Sequence, residues 1–208
     1  MPEKSDGRRP IKARSAAWAQ HAAAALAARG VSPNQISVAS VLFAAGGGVL
    51  LGWHPTSAGL LACALAIQAR LICNLLDGMV AIEGGKKSAL GALYNEFPDR
   101  LADTVLIVPL GYAAGMPALG WLGALAAALT AYVRAFGGAL GLAQDFRGPM
   151  AKQHRMAVMT IGCVLAAGEA AFGPTKYSLI GAGLIVALGS IATCVTRTRA
   201  IAKQLQHG

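Results

Sequence analysis

Asn74-Leu75-Leu76-Asp77-Gly78-Met79-Val80-Ala81 and, after a short polar stretch, Pro98-Asp99-Arg100-Leu101-Ala102-Asp103 decide how this chain reads. Both stretches sit within or against long runs of Leu, Ala, Val and Ile. A carboxylate inside a membrane-spanning helix costs on the order of 3 kcal/mol on insertion scales. Three of them, Asp77, Asp99 and Asp103, need compensation, and divalent metal ions supply it economically. Asn74 and Asp77 are three residues apart and share a helix face; Asp99 and Asp103, four apart, share another. Antiparallel helices joined by a short loop bring both faces to one depth. The spacing thus predicts three carboxylates and an amide oxygen converging, a hard-oxygen set for magnesium, manganese or calcium rather than zinc.

The composition supports a membrane setting. Of 208 residues, 55% are hydrophobic and 13% charged, whereas a soluble domain carries about 25% charged residues. Six apolar segments, at about 34–53, 58–82, 98–115, 117–141, 156–173 and 177–196, approach the roughly 20 residues that span a hydrocarbon core. The fold class expected is an all-α membrane protein, a six-transmembrane-helix bundle with an N-terminal interfacial amphipathic helix. Basic residues collect before the first segment, between the second and third, between the fourth and fifth, and after the sixth. The positive-inside rule places these, and both termini, in the cytoplasm. The net charge of +9 then reads as topology and anionic-lipid attraction, not as a nucleic-acid patch. No cleaved signal peptide is expected.

Residues 1–33 form a cytoplasmic N-terminal segment in this reading. Over 10–29, Ile11, Trp18, Ala22 and Leu26 can share a face, with Gly30 as a C-terminal stop; a frayed tail is the alternative. Ser32-Pro33-Asn34 fits a helix start. Cys63, Cys73, Cys163 and Cys194 all lie in apolar runs and read as small buried hydrophobes. Gly78 and Ala81 leave room beside Asp77 for a ligand to approach the backbone. Arg70 reads as a counter-ion to one of the aspartates, or as a substrate contact.

The run Asn74-x-x-Asp77-Gly78-x-x-Ala81, then Gly91, then Asp99-x-x-x-Asp103, resembles the signature of the CDP-alcohol phosphatidyltransferase family. That pattern is D-x-x-D-G-x-x-A-R, a short spacer, and G-x-x-x-D-x-x-x-D. Three departures stand out: Asn74 occupies the first acidic position, Ile82 the usual Arg, and strict spacing from Gly91 selects Asn95 and Asp99 instead of Asp99 and Asp103. The second register is preferred because Pro98-Asp99-Arg100-Leu101-Ala102-Asp103 resembles the family's local text better, and sliding by four residues keeps the same helix face.

The resemblance implies that residues 34–208 form a six-span CDP-alcohol phosphotransferase domain with a short cytoplasmic tail, in the cytoplasmic or inner membrane. It implies transfer of a substituted phosphate group from a CDP-alcohol lipid donor, such as CDP-diacylglycerol, to an acceptor alcohol, with release of CMP. Asn74, Asp77, Asp99 and Asp103 would hold Mg2+ or Mn2+ in a two-metal site, with Asp99 and Asp103 catalytic and Asp103 the general base. Gly78 and Ala81, with Lys86 and Lys87, would border the donor; the two lysines equally suit positive-inside signalling. Arg134, Lys152 and Arg155 would meet an anionic acceptor, or serve as topogenic charges. Membrane lipids and a second copy of the chain are expected partners. A degenerate lipid- or nucleotide-binding protein and a small ion-coupled transporter remain the alternatives.

Overall fold

A computed structural model describes residues 15–83, 91–173 and 175–207. The described residues form seven helices: α1 (Ala17–Ala28), α2 (Pro33–Trp53), α3 (Ser57–Glu83), α4 (Gly91–Ala113), α5 (Pro117–Ala139), α6 (Lys152–Phe172) and α7 (Tyr177–His207). Six of them close a ring in the order α2, α3, α6, α7, α5, α4, and α1 lies against α3. The residues facing inward, among them Leu51, Ile67, Leu106, Ile107, Leu110, Met159 and Val186, form a dry core. Large apolar side chains also line the outside, including Leu42, Leu65, Trp121, Leu125, Ile161 and Leu188. Lipid tails are as apolar as these side chains, so such a bundle is held by close packing and buried polar contacts rather than by exclusion from water.

Local sequence sets the helix ends. Ser32 caps α2: its Oγ accepts from the Gln35 N–H at 3.2 Å, and the Gln35 side chain accepts from the Ser32 N–H at 2.9 Å. This reciprocal box satisfies two otherwise orphaned donors, and Pro33 begins the helix without wasting an N–H. Gly30, at φ +79°, ends α1 as expected. Pro109 lies inside α4 and offers no N–H to the Val105 carbonyl one turn earlier. Gly48 of α2 packs directly on that carbonyl, where any Cβ would overlap it. The close α2–α4 approach thus coincides with the gap in the α4 ladder.

Among the described residues, four of the six helices expected as spans, α2, α3, α5 and α7, are long and apolar enough to cross a membrane by length and composition. α4 and α6 have similar length, 23 and 21 residues, but spend positions on Glu96, Asp99, Arg100, Asp103, Lys152, Arg155 and Glu169. Their polarity is turned into the bundle: Asp103 and Arg155 are only 2% and 1% exposed. The N-terminal helix forms, and its buried stripe is Ala19 and Ala23 against Leu75, Leu76, Met79 and Val80. Ala22 and Leu26 pack at the edge of that contact, and Trp18 points outward at 53% exposure. Alanine lets α1 approach α3 more closely than the indole would. Ile11 lies outside the described residues.

Candidate functional site

α3 and α4 supply the acids, and α2 and α6 bring partners to them. Asp77 sits on the buried face of α3, where the Ser37 hydroxyl of α2 donates to its Oδ2 at 2.7 Å. Asp99, on α4, accepts from the Asn74 amide at 3.2 Å on Oδ1 and from the Lys152 ammonium at 2.6 Å on Oδ2. Asp77 is within electrostatic reach of both Asp99 and Lys152. Of the four residues expected to converge, Asn74 and Asp99 are in contact and Asp77 is within electrostatic reach of Asp99, with Gly78 and Ala81 following Asp77 on α3.

Asp103 is one turn deeper and differently employed. Arg70 donates to its Oδ1 at 2.8 Å and Arg155 to its Oδ2 at 2.7 Å. Arg70 is fully buried, lies 3.6 Å from Asp99 Oδ1, and extends its other terminal nitrogen to the Met156 sulfur. Arg155 also donates to the Met150 carbonyl at 2.9 Å. Burying an ion costs several kcal/mol, and this cost is offset here by a clamp joining α3, α4 and α6. Arg70 is thus the counter-ion its sequence position suggested.

Arg134 stands apart from Asp103. Arg134 of α5 donates to Glu96 Oε2 at 2.6 Å and to Gln144 Oε1 at 2.8 Å, and stacks over Phe146. Glu96 is within electrostatic reach of Lys152. His154 is exposed and its ring nitrogen meets the Pro149 carbonyl. In the segment leading to α6, desolvation pushes the Asp145 carboxyl up, but hydrogen bonds from Arg147 outweigh this and hold it below the usual carboxylate range. The α6 entry is pinned further by the Met150 N–H, which donates to Thr193 of α7 at 2.9 Å. Lys152 is therefore delivered to Asp99 from a fixed helix start.

Several participants were not evident from sequence. Ser37 is 40 residues from Asp77, and nothing local marks it. Arg197, read as a topogenic charge, is 5% exposed and donates to the Thr130 and Arg147 carbonyls. Its spacing of four from the buried Thr193 was the available signal. Lys86 and Lys87 lie outside the described residues, as does the side chain of Asn95, so the choice of register is not decided there.

Among the described residues, no three His, Cys, Asp or Glu side chains gather into a metal-ligand set. Asp77 and Asp99, with the Asn74 amide between the two, are nonetheless oxygen donors of the kind a hard divalent ion takes. The Asp99 carboxylate already draws a cation, the Lys152 ammonium, at close range. These residues fit a divalent ion better than they fit a soft one.

No protein-family model and no curated protein matches this chain. Solved structures do. A Mycobacterium tuberculosis phosphatidylinositol phosphate synthase with bound CDP-DAG superimposes with a TM-score of 0.76 at 21% identity, over 89% of this chain and 94% of that one. The same synthase in complex with manganese and citrate gives 0.75 at 22% identity, covering 88% of each chain. Its apo form gives 0.71 at 22% identity, over 87% of this chain and 94% of that one. Over almost its whole length, this chain shares the fold of that synthase.

Proposed function

We propose that this protein is an integral membrane CDP-alcohol phosphotransferase. It transfers a substituted phosphate group from a CDP-alcohol, such as CDP-diacylglycerol, to an acceptor hydroxyl and releases CMP. The observation that carries this reading is the Asn74–Asp99 contact between α3 and α4, with Asp77 within electrostatic reach of Asp99. Support comes from the fold shared with a synthase solved with CDP-DAG and with manganese.

Asp77 and Asp99 would hold Mg2+ or Mn2+, with Asn74 as a neutral ligand. Such an ion neutralises and polarises a bound pyrophosphate. Gly78 and Ala81 leave the nucleotide space along α3. The acceptor oxygen attacks the phosphorus bearing the lipid alcohol, its proton passes to Asp103, and the bond to CMP breaks. For this, one arginine contact on Asp103 gives way to the acceptor hydroxyl. Arg155 retains the Met150 carbonyl when it does so. Arg70 and Arg155 position Asp103. Arg134, Lys152 and Arg155 beside the acids suit a phosphorylated or otherwise anionic acceptor. Both termini are cytoplasmic in this reading, α1 rests at the interface, and α4 and α6 complete six spans.

CMP release by the purified protein tests the proposal. CDP-diacylglycerol, magnesium or manganese, and pools of inositol phosphate, glycerol phosphate, serine and inositol are supplied. Metal-dependent CMP release that Asp77→Ala and Asp99→Ala both abolish is expected. Absence of CMP with every pool, from folded protein that still binds CDP-diacylglycerol, refutes it.

A further inference from the structure

Asn74 stands where the family signature carries a carboxylate, and its amide nitrogen donates to Asp99 Oδ1 at 3.2 Å. The other oxygen of Asp99 is held by the Lys152 ammonium at 2.6 Å. Lys152 is the first residue of α6, and the turn before it is fastened to α7 through Met150 and Thr193. Its ammonium is therefore delivered by the fold, not by a wandering surface chain. Asp103 is committed to Arg70 and Arg155. The three carboxylates thus face Arg70, Lys152 and Arg155 at close range, with Arg100 3.8 Å from Asp99 Oδ2.

That arrangement changes how much metal the site can take. With Asp103 committed and Lys152 held on Asp99, the group Asp77, Asp99 and Lys152 carries one net negative charge, which a single divalent ion already more than offsets. A second ion would bring two uncompensated positive charges into a space that already holds Lys152. A four-carboxylate version of the same site would accommodate both ions.

We propose that this protein binds one divalent ion, on the Asp77 side of the cluster, and that the Lys152 ammonium on Asp99 takes the place of a second. Asn74 is the residue that permits this, because a carboxylate there would restore the charge that attracts another ion. Arg134, held by the partly exposed Glu96, by Gln144 and by the Phe146 ring, is then the cation left to greet an anionic acceptor. This inference rests on the transferase reading, and its test can fail separately from that reading.

The test is Mn2+ stoichiometry of the purified protein in detergent, read by the loss of the free-ion electron paramagnetic resonance signal. The wild-type chain is expected to bind one Mn2+. Asn74→Asp combined with Lys152→Met is expected to bind two. CMP release is measured on the same preparations. Two Mn2+ bound by the wild-type protein, or none, overturns the inference whatever the variant does. CMP release together with two ions would leave the transferase reading standing. One Mn2+ without CMP release from any acceptor pool would sustain the stoichiometry and sink the transferase reading.

Discussion

Asp103→Asn is the most incisive single change, since it removes the charge from a side chain buried between two arginines without altering its shape. Asp103 is 2% exposed, and Arg70 and Arg155 are 0% and 1%. Both contacts are short, at 2.8 and 2.7 Å. Removing one partner of a buried ion pair costs about 3–5 kcal/mol, mostly the penalty of leaving the other charge uncompensated. For a chain of this size each kcal/mol moves the melting temperature by about 2–4 °C. A fall of roughly 6–20 °C is therefore expected, followed by thermal melting in a fixed detergent. Arg70→Met should cost a comparable amount. The double variant should lose clearly less than the sum of the two, because each substitution removes the other's stranded partner. Additive losses, or an unchanged melting temperature in Asp103→Asn, would refute the idea of a charge-matched clamp.

Three further outcomes follow from other contacts. Ser37→Ala removes the hydroxyl on Asp77 Oδ2; loss of such a supporting contact should weaken Mn2+ affinity by about 10–100-fold, measured by titration. Gly48→Leu places a side chain where the Val105 carbonyl sits; overpacking should cost about 1–3 kcal/mol or more, seen as a lower melting temperature and poor recovery from membranes. Ser32→Ala removes the α2 cap and should cost about 1 kcal/mol, with CMP release per folded molecule unchanged.

Some of this molecule was readable before folding. Ser32-Pro33-Asn34 announced the start of α2, and the apolar runs located all six long helices to within a turn or two at most ends. The acids converged because three- and four-residue spacings fix a helix face whatever surrounds it. Hydropathy misjudged what lies between helices. α7 continues to His207, past the apolar run, because Arg197, Arg199 and Lys203 are good helix formers and Arg197 finds buried carbonyls. α4 and α6 read as more polar than their surroundings, since a linear average counts Asp103 and Arg155 as costs although each offsets the other across 52 residues. The same blindness hid Ser37.

The central claim is that a substituted phosphate moves from a CDP-alcohol to a hydroxyl at the Asp77–Asp99 site. Its most direct test uses CDP-diacylglycerol labelled with radioactive phosphorus at the lipid-bearing phosphate, with Mn2+ and the acceptor pools. The account predicts that the label appears in a new lipid while the CMP released is unlabelled, and that chelation of the metal or Asp99→Ala stops both. Label recovered only as phosphatidate in the presence of every acceptor, or turnover that continues in Asp99→Ala, would contradict it.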